Sequence, residues 1–187
     1  MDLVSDVVTA ADYEEAVELC FARGWTDGLP VVLPTRRRVE GLIEHAGRDP
    51  QESLGLVPPK GGPATVEKLA VNAVMGGCRP EHFPVVLAAL EALLDPAHNL
   101  NGVSQTTHMC VSLVIVGGPI ARELGFNSRD GVFGNGYRPN AATRRLSRHR
   151  SFSFCSKARL SPSNVWSTWT KISTWRSSSK TSSPISR

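Results

Sequence analysis

The sequence predicts an α/β fold in which helices are layered on a small mixed sheet, with a disordered C-terminal tail. Amphipathic helical segments alternate with short β-branched segments through the first 142 residues, a pattern typical of α/β layers. The composition then changes abruptly, and a chain of 187 residues has the length of one ordinary domain. We therefore predict a single domain over residues 1–142 and a Ser/Arg-rich tail over residues 143–187.

Four helices are predicted from the spacing of apolar residues and from capping and stop residues. Thr9 and Asp12 resemble a capping box before the first helix, and Gly47 is a stop for the second. A further short helix is expected near 119–124, and Asn140 is expected to cap another. The four main helices are predicted over about 10–23, Thr35 to Gly47, Thr65 to Gly76, and Pro80 to Asp95.

Short apolar segments predict the strands. The segment 111–116 is nearly all apolar and β-branched and precedes two glycines, as in a central strand covered on both faces. Lys60 to Pro63 is predicted to be a loop, because glycine and proline dominate it. The other two predicted strands are Val31–Leu33 and Leu54–Val57.

Charge divides the chain into two parts. All 17 acidic residues lie within 1–140, together with 11 of the 21 basic residues, whereas 141–187 hold ten basic residues and no acid. The sequence pI of about 9.1 is therefore a property of the tail and does not indicate a nucleic-acid or membrane partner for the domain. An acidic N-terminus without a signal-peptide pattern, and four dispersed cysteines, predict a cytoplasmic protein with reduced thiols.

Cys78 is the first candidate catalytic residue. It precedes a predicted helix N-terminus and lies beside Arg79, an environment that favours a thiolate, and His82 is a candidate proton partner. The alternative is a small apolar residue filling a tight turn.

His108 and Cys110 share one side of the chain if their segment is extended. They are candidates for a base and a nucleophile, or for two ligands of a soft metal together with Cys78 and His82. A core histidine beside a core cysteine is the alternative. We predict no metal, and the cofactor is unknown.

Two loops supply candidate binding residues. Near residues 134–140, backbone N–H groups and Arg138 are suited to a carboxylate or phosphate, with Asn135 and Asn140 alongside. At the turn 25–30, Asp27 is a candidate base or orienting carboxylate beside Trp25 and Thr26. The alternatives are a surface loop with a solvated Arg138, and an Asx turn at Asp27 with Trp25 filling the core.

Four motifs together resemble a bacterial family of poorly characterised proteins associated with the UGSC type, which is named for a selenocysteine- or cysteine-Gly-Ser-Cys motif. The motifs are Gly24–Val32, Val57–Gly62, Ala70–Glu81 and Thr106–His108. The resemblance implies thiol or selenol redox chemistry on a small molecule, with Thr106 and Thr107 near the substrate. The UGSC motif itself does not occur in this sequence, so a UGSC-type partner protein would supply that centre.

The resemblance stops near Ala142. Family members continue into a regular helix, a glycine-bearing segment and an acidic, aromatic end, whereas this chain becomes rich in Ser and Arg. A sequence of this composition is typical of a gene with high GC content that is read out of frame. We interpret the change near Ala142 as a frameshift or a truncation of the family pattern. A genuine tail of this composition would instead suggest contact with nucleic acid.

We therefore expect an enzyme or enzyme subunit for a small anionic molecule. Cys78 would be the nucleophile or redox thiol, His108 the acid or base, and Arg138 the anion-binding group. The alternative is a non-catalytic binding or scaffolding subunit that docks a UGSC-type partner.

Overall fold

The computed structural model describes residues 1–26, 28–108, 112–132, 136–145 and 152–155. The helices are α1 (Tyr13–Ala22), α2 (Arg36–Ala46), α3 (Val66–Met75), α4 (Phe83–Leu93), α5 (Leu100–Gln105), α6 (Pro119–Glu123) and α7 (Arg138–Arg145). The strands are β1 (Ser53–Val57), β2 (Gly62–Thr65), β3 (Ser112–Ile115) and β4 (Phe152–Cys155). Short 3-10 turns at Pro80–His82 and Pro96–His98 precede α4 and α5.

The strands form two separate two-stranded sheets, β1 with β2 antiparallel and β3 with β4 parallel. The predicted α/β class is confirmed, with both kinds of strand pairing present. β4 lies inside the predicted tail and pairs with β3, and α7 extends three residues beyond position 142. The rest of that tail lies outside the described residues.

Two local predictions about strands are wrong. Val31–Leu33 does not form a strand, and the Val32 amide donates instead to the carbonyl of Met75, at the end of α3, at 3.3 Å. The second half of the segment predicted as a loop, Gly62 and Pro63, belongs to β2. This strand pairs with β1 and places Pro63 opposite Leu56. Whether a segment forms a strand depends on a partner strand. Glycine and proline are rare in strands, so their presence in a short edge strand leads a sequence pattern to indicate a loop.

The main core lies between α2, α3 and α4. Val39, Leu42 and Ile43 of α2 are buried there, and Gly47 ends the helix with a φ of 63°. α4 is buried on most sides, since its other face packs against a smaller cluster that includes Val114 and Phe126. Leu113 of β3 is half exposed, so this strand is not covered on both faces as predicted. No helix in the described ranges is long and apolar enough to cross a membrane.

The N-cap of α1 lies three residues after the predicted one. Asp12 is the N-cap, and its carboxylate accepts a hydrogen bond from the Glu15 amide at 2.9 Å. The Glu15 carboxylate accepts in turn from the Ala11 amide. The capping box therefore consists of Asp12 and Glu15 rather than Thr9 and Asp12, because the helix begins at Tyr13, which makes Asp12 the cap and Glu15 the third helical residue.

Residues 3–12, here called the N-terminal strap, are tied to α3 by one buried carboxylate. Glu67 is 1% exposed, and its oxygens accept from the Val4 amide at 3.1 Å and the Ser5 amide at 2.8 Å. The Gln51 side chain donates to it as well, at 2.6 Å. Burial alone would raise the pKa of Glu67, but these hydrogen bonds outweigh burial and hold the pKa below its ordinary value.

Candidate functional site

Cys78 lies in the turn that ends α3. The Cys78 amide donates to the Ala73 carbonyl and the Gly77 amide to the Val74 carbonyl, both at 2.8 Å, which is the pattern of a Schellman cap. Gly77 has a φ of +83°, a conformation that favours glycine. The cap turns Cys78 inward, so that it is 6% exposed and belongs to the main core.

The thiolate predicted at Cys78 is wrong for this arrangement. Burial, and to a smaller extent the nearby Glu81 carboxylate, raise the pKa of the Cys78 thiol to about 12, while Arg138 opposes both. The thiol sulfur lies 3.4 Å from the Arg79 carbonyl, to which it donates. The thiol is therefore protonated at neutral pH, because burial removes the water that would stabilise a charged thiolate, and α4 begins only at Phe83.

Arg138 joins this turn from a distant part of the sequence. It is the first residue of α7, and its Nε donates to the Gly77 carbonyl at 2.8 Å across 61 positions. Among the described residues, no acid forms an ion pair with its guanidinium. Two predicted site residues, the Cys78 thiol and the Arg138 cation, are thus brought together.

His82 is buried beside the same turn and is 4% exposed. Its Nε2 lies 3.2 Å from the Leu124 carbonyl, which can only accept, so Nε2 carries the proton. Its Nδ1 has no hydrogen-bond partner within the described residues. Burial lowers the pKa of His82, so the neutral ring offers an unused acceptor at this turn.

The segment that ends at His108 is not joined to Cys78. Thr107 and His108 are exposed, and the His108 amide donates to the Thr106 hydroxyl at 3.1 Å. The structure shows no hydrogen bond between His108 and Cys78, both of which it describes. Cys110 lies outside the described residues, and so do the candidate residues Asp27 and Asn135.

The turn after α1 lies apart from Cys78. The Thr26 hydroxyl donates to the Leu29 carbonyl at 2.7 Å and accepts from the Gly28 amide, so it organises the turn. Trp25 is 38% exposed and lines a cleft beside α1 that does not include Cys78. The cleft that Trp25 lines is therefore distinct from the Cys78 turn.

Asn140 serves the fold. It is the third residue of α7, so the prediction that it caps this helix is wrong. Its amide oxygen accepts from the Asn127 backbone amide at 2.9 Å, and its amide nitrogen donates to the Asn127 carbonyl at 3.1 Å. Asn140 is only 2% exposed, and the oxygen and nitrogen of its side-chain amide together hold the loop that follows α6.

Glu67 is the polar residue that the sequence analysis missed. It lies three residues before Ala70, within the apolar stripe of α3, and an acid in such a stripe indicates a buried partner. Within the described ranges no three His, Cys, Asp or Glu side chains group as metal ligands, and Cys110 of the alternative metal site lies outside those ranges.

The comparisons with known proteins identify no relative. No protein-family model, curated protein or solved structure matches this chain. The UGSC resemblance therefore stays a prediction, and the geometry around Cys78 is the basis for a functional proposal.

Proposed function

We propose that this chain is an enzyme, or a subunit of one, that acts on a small anionic molecule beside Cys78. The single observation that supports this proposal is the hydrogen bond from Arg138 Nε to the Gly77 carbonyl at 2.8 Å. It holds a guanidinium against the turn that carries the thiol, while the terminal nitrogens remain suited to a carboxylate or phosphate.

The protonated thiol sets a condition on this chemistry. Because burial raises the pKa of Cys78 to about 12, the thiol and not the thiolate is the form present at pH 7. Thiol chemistry therefore requires that the turn opens, or that a partner replaces the surroundings that bury the sulfur. A subunit that becomes active with a UGSC-type partner in the cytoplasm satisfies this condition.

The burial of Cys78 also favours the second candidate function, a non-catalytic binding or scaffolding subunit. In that case Cys78 is a core residue and the Arg138 side chain serves only to join α7 to the end of α3. The two candidates differ in whether the thiol reacts under the control of Arg138.

Alkylation of the folded, full chain separates these candidates. We would compare anionic iodoacetate with neutral iodoacetamide and follow each cysteine by mass spectrometry of its peptide. In both reactions the thiolate sulfur bonds to carbon and iodide leaves. An anion-binding group at Cys78 is expected to raise the ratio of the iodoacetate rate to the iodoacetamide rate.

Arg138→Gln is expected to lower that ratio several-fold at Cys78 and to leave it unchanged at Cys20. Arg122→Gln, on the exposed side of α6, is the matched control for loss of one positive charge. If the ratio at Cys78 is the same in both variants, the anion-binding role of Arg138 is wrong. If Cys78 is alkylated only on unfolding, and added partner protein binds without generating activity, the scaffolding function is supported instead.

A further inference from the structure

We propose that a cleft between the N-terminal strap, α1 and α3 binds an amphipathic anion, a small molecule with one carboxylate and an apolar body. The cleft has a volume of about 770 Å³, which lies within the usual range of small-molecule sites. Cys78 does not line it, so the proposal stands apart from the thiol function.

The walls of the cleft are two apolar helix stripes. Leu19 and Cys20 of α1 line it from one side, and Val71 and Met75 of α3 line it from the other. Cys20 is the one residue of α1 that is buried, although the mean hydropathy of this helix resembles that of α3. An apolar ligand body between the stripes would remove further apolar surface from water on both helices.

The acids at the cleft are largely committed to the protein. The oxygens of Glu67 accept from the amides of Val4 and Ser5, and Asp12 accepts from the Glu15 amide. Asp6, on the exposed strap, is the remaining acid of the lining. The carboxylates of Glu67 and Asp12 are therefore already hydrogen-bonded by the protein, and they do not favour a cationic ligand.

The cations at the cleft keep most of their donors. The Arg23 guanidinium lies 5.1 Å from the centre of the Trp25 ring, and no acid in the described part of the chain pairs with it. Arg36 donates through one nitrogen to Glu40 at 3.2 Å, and the first turn of α2 carries no acid. A carboxylate is the head group that Arg23 would recognise, with Trp25 beside it.

The test uses three probes with the same eight-carbon chain: octanoate, 1-octanol and octylammonium. Cys20 lines the cleft and Cys78 does not, so alkylation of the full chain by iodoacetamide reports occupancy at one and serves as the control at the other. Octanoate is expected to slow alkylation at Cys20 alone. It should do so at lower concentration than octanol, and octylammonium should be weakest.

Two substitutions test the head group. Arg23→Gln is expected to weaken octanoate about tenfold, the loss of about one charged hydrogen bond, and to leave octanol unchanged. Arg37→Gln, whose side chain does not line the cleft, is the matched control. Circular dichroism shows whether each variant is folded. No protection of Cys20, equal protection by all three probes, or octanoate binding unchanged in Arg23→Gln would each overturn the proposal.

Discussion

The two helices α1 and α4 differ in how they are held, although each is apolar overall. α4 buries eight of its eleven residues, whereas α1 buries only Cys20 of ten. Both helices have the length of about three turns, so the difference lies in what surrounds them. α4 lies between two hydrophobic clusters, while α1 lies at the edge of a cleft.

This contrast shows that two kinds of interaction stabilise two regions of one chain. Burial of apolar surface stabilises the body formed by α2, α3 and α4. The N-terminal region depends instead on a capping box and on the bonds from Glu67 to the strap. Substitutions in the body should therefore change the global free energy of unfolding, and substitutions in the N-terminal region should change local opening.

Removal of a buried aromatic ring should have the largest effect. Phe83 is fully buried at the start of α4, and Phe83→Ala is expected to lower the free energy of unfolding by about 3–5 kcal/mol. The matched change Phe21→Ala, at a side chain that is 37% exposed in α1, should cost under about 1 kcal/mol. Urea unfolding measures both, and equal losses would show that α1 is as well packed as α4.

Neutralising Glu67 should release the strap and leave the body folded. Glu67→Gln keeps the shape but replaces charged acceptors, so amide exchange at Val4 and Ser5 should become about ten- to hundredfold faster. Gln51→Ala, which removes only the side-chain donor, should have a smaller effect. Hydrogen exchange by NMR checks both, and unchanged protection at Val4 would contradict this role.

The same carboxylate predicts a pH dependence. Because the pKa of Glu67 is lowered in the folded state, its stabilising contribution is present above the ordinary value of 4.5 and is lost as the pH falls through the lower, folded pKa. Protection of the strap amides, corrected for intrinsic exchange, should be constant from pH 7 to about 5 and decrease in more acidic solution. Glu67→Gln should remove this dependence.

Loss of the α1 cap should have the smallest effect on global stability. Asp12→Ala removes the acceptor for the Glu15 amide and should cost the helix about 1 kcal/mol. Because α1 is attached loosely, this loss should appear as faster exchange in α1 and not as a shift of the urea midpoint. The control Asp12→Asn, which retains a capping oxygen, should restore protection.

Much of the helical framework was predictable because its determinants are local. The stripe of α2 and the glycine after it, the Thr65 cap of α3 and the proline before α4 are each found within a few residues. The site was predictable only in part. Cys78 and Arg138 were both candidates, but their approach depends on a bond across 61 positions that no local pattern encodes.

The sequence by itself determined where α1 to α4 lie and which of their residues are apolar, because periodicity and capping act over one or two turns. Only the tertiary structure decided the protonation of Cys78, since burial, a neighbouring acid and a distant arginine together set its pKa. It also decided that Gly62–Thr65 pairs with Ser53–Val57, whereas the Val32 amide bonds to the end of α3, because a strand requires a partner. Charge state and strand pairing are properties of surroundings, and those surroundings exist only once the chain has folded.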